Sequence, residues 1–131
     1  MSVALLLVTH ANIGSALCST AQGVFPTMPL RCGVLEVALD SNTEQIAQQA
    51  RAQITELDQG DGVLVLTDVY GATPCNIATA VGAETHARVL AGLNLAMLLR
   101  VFNYPDQSLD ELARTAVEGG RRGILECPRK A

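Results

Sequence analysis

A chain of 131 residues with 49% apolar side chains is long enough to bury one sizeable core, so a single domain over residues 1–131 is expected. Its formal net charge is −4, with cations scattered until Arg121, Arg122, Arg129 and Lys130, which argues against a nucleic-acid surface. Cys18, Cys32, Cys75 and Cys127 lie far apart, with no Cys-x-x-Cys pair and no histidine cluster, which speaks against a metal site or a disulfide framework and for reduced thiols in a cytoplasmic protein.

In chain order, Val3 to Val8 is apolar throughout instead of alternating, the pattern of a parallel strand covered on both faces. It is too short for an anchor and lacks the basic flank of a signal, so no membrane insertion is expected. Asn12 and Gly14 supply loop chemistry, and Ile13, Leu17, Ala21, Val24 and Phe25 follow a helical spacing. Pro26 and Pro29 close this unit. A second strand is expected from Cys32 to Leu39, then a capping box of Ser41 and Glu44 opening a helix with Ile46, Ala50, Ile54 and Leu57 on one face.

Gly62 to Thr67 reads as a third strand, apolar on both faces. A turn through Tyr70 and Gly71 leads to Thr73 at a cap and Pro74 at the first helical position, opening a helix that stops near Gly82. Arg88 to Ala91 is a shorter fourth strand, and Leu93 to Phe102 a further helix. Ser108 and Glu111 form a second capping box, for a helix that Gly119-Gly120 should end. Gly123 to Cys127 is left as a short antiparallel edge strand.

This alternation predicts an α/β, doubly wound fold: a mostly parallel sheet of about four strands with helices on both faces. The functional crevice of such a sheet lies beyond the carboxyl ends of its strands, where the winding direction reverses. If the first and third strands are neighbours, His10 and Asp68 meet there.

One imidazole nitrogen of His10 can attack phosphorus while the other is oriented through its proton. A carboxylate at Asp68 fixes that tautomer. The amides of the helix start at Thr73 favour a phosphate. Gly71 serves the turn backbone, Asn76 braces it, and Thr9 supports His10 from the strand. The plain alternatives are a partly buried structural histidine, a turn aspartate, a helix-capping threonine and, for Cys75, a small packing residue. His86 stands in a loop with no partner nearby in sequence and reads as surface.

Thr67-Asp68-Val69-Tyr70-Gly71-Ala72-Thr73-Pro74-Cys75-Asn76 resembles the Asp-x-x-Gly-Gly-Ser-Pro-Phe-Asn turn of mannose-type enzyme IIA proteins of the sugar phosphotransferase system. Val8-Thr9-His10-Ala11 resembles that family's active-site turn, and Ala91-Gly92-Leu93-Asn94-Leu95-Ala96-Met97-Leu98 its Ala-Gly-Val-Asn-Ile-Pro-Met-Leu run. The resemblance implies that His10 carries a phosphoryl group taken from the phosphocarrier HPr and given to an enzyme IIB. It implies further that Asp68 orients His10, that Thr73 contacts the phosphate, that no metal or organic cofactor is used, and that the protein is a homodimer. Ala72, Cys75 and Ala96 depart from the family pattern.

The residues also weigh against neighbouring readings. A receiver domain needs an acidic pair after the first strand, where Thr9-His10 stands, and a P-loop needs a Gly-Lys pair that this chain lacks. With no Trp the flavin-flanking aromatics of a flavodoxin are short. A regulatory binding module, whose His10 phosphorylation reports on the phosphotransferase chain without feeding sugar uptake, remains open. The hinge-like Gly119-Gly120-Arg121-Arg122 before the last strand suggests strand exchange between two subunits.

Overall fold

The computed structural model describes residues 2–129, which leaves Lys130 of the basic C-terminal group outside the described residues. Four strands, β1 (Ala4–His10), β2 (Cys32–Val37), β3 (Val63–Thr67) and β4 (Ala87–Ala91), form one sheet in the order β2-β1-β3-β4, with every pairing parallel. Five helices accompany them: α1 (Ile13–Val24), α2 (Thr43–Leu57), α3 (Thr73–Gly82), α4 (Leu95–Phe102) and α5 (Leu109–Arg122). The α/β architecture with helices on both faces is as the alternation predicts.

The continuous apolar run of β1 has a direct cause. Successive side chains of a strand point to opposite faces, and here both faces are covered. Leu5 and Leu7 join Leu64 and Leu66 of β3 in a core closed by Ala21 of α1, Leu98 of α4 and Leu112 of α5. Leu6 and Val8 join Val63 and Val65 in the opposite core, closed by Ile54 of α2 and Val81 of α3. Leu5, Leu6, Leu7 and Val8 are all fully buried, each such side chain contributing about 1.5–3 kcal/mol of transfer free energy.

Local chemistry shifts several boundaries. The cap of α2 is Asn42 and not Ser41: its side chain accepts from the amides of Glu44 and Gln45 at 3.0 and 3.1 Å. Strand β2 stops at Val37, and Leu39 is fully exposed. The capping box of Ser108 and Glu111 is present in both directions, but α5 runs through Gly119-Gly120 to Arg122. These glycines serve close approach instead of termination. A Cβ on Gly119 would meet Arg100 Cβ of α4 at 2.6 Å, and the Gly120 carbonyl accepts from Asn94 Nδ2 at 3.2 Å. Gly119→Ala should therefore lower stability, crowding of about 1–3 kcal/mol outweighing the roughly 1 kcal/mol of regained helix propensity. A raised urea midpoint would make Gly119 an ordinary helix position.

The edge strand expected over Gly123–Cys127 does not form. Gly123 caps α5, and no strand is present among the described residues that follow. Within one copy this segment pairs with no strand edge, and Ile124 and Leu125 are left 79% and 81% exposed.

Candidate functional site

The strand order places the reversal of winding between β1 and β3, so the loops leaving these two strands part there and open a crevice at the carboxyl edge. Residues His10 and Asp68 stand at its two sides. The β1–β3 ladder ends at Val8 opposite Thr67, whereas β1 continues against β2 to His10 opposite Val37. The His10 N–H therefore faces past the end of β3, where no strand carbonyl awaits it. Asp68 supplies the acceptor: Oδ2 takes the His10 backbone N–H at 3.1 Å and lies 2.7 Å from His10 Nδ1.

The carboxylate is well defined. Its side chain is 7% exposed, against 35% for the imidazole. Burial pushes the Asp68 carboxyl up, but hydrogen bonds from the His10 ring, from the His10 amide and from its own amide together outweigh burial and hold it below the ordinary carboxylate range. An ionised Asp68 can only accept, so Nδ1 carries the proton of this bond. Nε2 is then the free nitrogen, and it has no hydrogen bond among the described residues. Asp68 Oδ1 is buried without a partner among them.

Thr9 is fully buried beneath the turn. Its hydroxyl donates to the His10 carbonyl at 2.7 Å and accepts from the Gly14 amide at 2.9 Å. Asn12 follows with φ of 72°, the single non-glycine residue with positive φ among the described residues, and asparagine is among the side chains that tolerate that conformation best.

On the Asp68 side the turn is built from Gly71, with φ of 83°, which is the conformation glycine adopts at no steric cost. Its carbonyl accepts from Asn76 Nδ2 at 3.1 Å, the brace expected of Asn76. The cap of α3 is Ala72, one residue before the expected Thr73, which is instead the exposed first residue of the helix, followed by Pro74. The shift has a chemical consequence. Alanine has no side-chain acceptor, and no side chain caps this helix, so its first amides stay available to an outside anion.

The remaining candidates lie elsewhere. His86 sits at the amino end of the sheet, 3.6 Å from Asp58, beside a cavity of about 690 Å³ which neither His10 nor Asp68 lines. The His10 imidazole, 35% exposed, stands on the outer edge of the sheet and not in that cavity. Cys75 is the third residue of α3, and it is buried. Among the described residues no three metal-ligating side chains cluster, and no helix is long and apolar enough to cross a membrane. Reading the sequence missed Ser15 and Glu36, which hydrogen-bond each other at the start of α1. The signal was a lone carboxylate in the otherwise apolar β2.

Residues 4–117 match the family model EIIA-man, described as the PTS system fructose IIA component. Over 127 residues, 95% of the chain, the sequence is 32% identical to the PTS system mannose-specific EIIAB component of Escherichia coli strain K12, and an equal match is found in Shigella flexneri. The chain spans 39% of the length of these relatives. The mannose/sorbose-specific IIA subunit from Enterococcus faecalis superimposes with a TM-score of 0.87 at 25% identity, covering 100% of both chains. EIIA from Streptococcus agalactiae shares the fold, with a TM-score of 0.83 at 21% identity over 95% of this chain and 96% of that one.

Proposed function

The chain belongs to the EIIA-man family of phosphotransferase-system IIA components, and from that premise we propose that it is a cytoplasmic phosphohistidine carrier, loaded on His10 by HPr and unloaded onto an enzyme IIB in sugar uptake. The observation that carries this reading is the 2.7 Å contact of His10 Nδ1 with Asp68 at an open sheet edge. It leaves Nε2 as the nucleophile.

In the loading step the Nε2 lone pair forms a bond to phosphorus as the bond from phosphorus to the donor imidazole of HPr breaks. The electron pair of that bond leaves with the donor. The proton on Nδ1 stays, and Asp68 stabilises the charge that develops on the ring. Thr73, Gly71 and the open amides of α3 receive the phosphoryl oxygens. Unloading is the same exchange in reverse, with enzyme IIB as acceptor. No step requires a metal or an organic cofactor.

The test is to incubate the chain with enzyme I, HPr and labelled phosphoenolpyruvate. Label should reach the chain as a phosphoramidate, labile in acid and stable in base. An acid-stable adduct would mean a hydroxyl acceptor and would overturn the assignment.

The same reading includes a homodimer. The exposed Ile124 and Leu125 leave α5 beside a groove lined by Leu90, Ala113, Val117 and Arg121 along the free edge of β4. Exchange of this segment between two copies would cover both groove and edge. The 131-residue chain should sediment as a dimer, and a chain truncated after Arg122 as a monomer. A dimeric truncation would remove the tail from the interface, and a monomeric 131-residue chain would end the proposal.

A further inference from the structure

We propose that Glu36 is a positioning residue for His10: by holding the first turn of α1 it sets the His10–Asn12 turn and closes that helix end to anions, leaving the α3 end to receive the phosphoryl group. This rests on His10 being the phosphoryl acceptor.

Two helices begin at the carboxyl edge beside the imidazole, α1 directly after His10 and α3 shortly after Asp68. Each begins with unpaired amides and the positive end of a helix dipole, so each is by default an attractor of phosphate. An anion held at the α1 end would compete with one held at the α3 end. The two ends are treated oppositely. At α3 the cap is an alanine and no side chain reaches the first amides.

At α1 the cap residue Asn12 makes no side-chain bond of its own, yet the end is filled from other strands. Thr9 Oγ1 accepts from the Gly14 amide at 2.9 Å. Glu36 Oε2 accepts from the Ser15 amide at 2.9 Å and from the Ser15 hydroxyl at 2.7 Å. These two acceptors come from opposed positions, since Thr9 pairs with Glu36 across β1 and β2. Opposed residues share a face of the sheet, here the face that carries α1. The neighbours Leu35 and Val37 point the other way, into the core under α2 and α3.

The carboxylate thus stands where a phosphate would. The Ser15 hydroxyl, the Ser15 amide and, after a small opposing effect of burial, the Asn12 amide hold its carboxyl below the ordinary range, so it is ionised at neutral pH. A fixed negative charge both anchors the turn from β2 and repels a second anion. Imidazole placement follows, because His10 is tied to this turn through the Thr9 hydroxyl and to β3 through Asp68.

The test combines transfer kinetics with amide nuclear magnetic resonance on the full chain. Glu36→Ala should slow loading of His10 from phosphorylated HPr by roughly ten- to hundredfold, the cost of a misplaced reacting group, with the loss in kcat and not in KM for HPr. In the same variant the Asn12 and Ser15 amides should exchange faster and shift on titration with inorganic phosphate. In the wild type only the α3 amides should respond. Glu36→Gln keeps an acceptor oxygen and loses the charge, so it should recover to within about three- to tenfold of wild type; it also carries the test if the alanine variant does not fold. A wild-type rate in the glutamine variant with unchanged exchange at Ser15, or phosphate shifts at Asn12 and Ser15 in the wild type, would overturn the proposal. Exchange at Ser15 does not require phosphorylation, whereas failure of His10 as acceptor would appear as undiminished labelling of a His10→Ala chain.

Discussion

His10→Ala is expected to abolish phosphoryl loading while leaving the chain folded. Among the described residues at this sheet edge, His10 is the imidazole held by a buried carboxylate, and it is partly exposed, so its removal opens no core cavity. What it does remove is one of the two bonds to Asp68 Oδ2, the other being donated by the backbone N–H of residue 10, which any side chain retains. A buried carboxylate deprived of one donor costs about 1–3 kcal/mol. The variant should therefore unfold at a lower denaturant midpoint but in one cooperative transition. Circular dichroism and label transfer from phosphorylated HPr, run on the same preparation, make the distinction. Labelling that survives would assign the acceptor role to His86 or to another residue.

Asp68→Asn should give the second largest effect, a slowing of transfer by roughly ten- to ten-thousandfold, the span seen for orienting and acid-base groups. An amide of the same shape can still accept from the His10 N–H, but it brings no negative charge to the imidazolium that forms as phosphate arrives or leaves. It can also turn its NH₂ toward Nδ1 and invert the tautomer, putting the proton on the nucleophilic nitrogen. Stability should change by no more than about 1–2 kcal/mol, because the lost charge-assisted bond is offset by the relief of desolvation.

The pH dependence separates these effects. With its carboxyl held below the ordinary value, Asp68 contributes stability that is fully present above the unfolded value, about 3.9, and is lost as pH falls through the folded value. The wild type should thus lose an acid-side increment of stability that the Asn variant never had. Transfer at the wild-type rate in the variant would reduce Asp68 to a turn residue.

Much of the fold was legible in the chain because the relevant forces are local or periodic. Val3 to Val8 and Gly62 to Thr67 are apolar without alternation, and only a strand buried on both faces satisfies that pattern. Ser108 with Glu111 is a self-contained device, and it forms as read. His10 and Asp68 were recognisable as partners, since each follows an apolar strand and such strands release their loops at one edge. The φ of Gly71 and the brace from Asn76 follow from a short turn closing on itself.

Other features depend on atoms far apart in sequence, and tertiary structure alone decided them. Gly119-Gly120 has the local signature of a helix end, but packing against Arg100 and Met97 of α4 makes it a contact between helices and carries α5 on to Arg122. Gly123 to Cys127 has the composition of a strand, yet a strand exists only where it pairs with another edge, and within one copy the described residues after α5 do not pair with the free edge of β4. Whether a helix end is open or filled is likewise invisible locally: Ala72 leaves α3 bare, while Glu36 reaches α1 only because the β1–β2 register sets it opposite Thr9. Periodicity and capping act over a few residues and can be read from the chain, whereas close approach, edge pairing and the satisfaction of helix ends are set by which distant groups the sheet brings within hydrogen-bond reach.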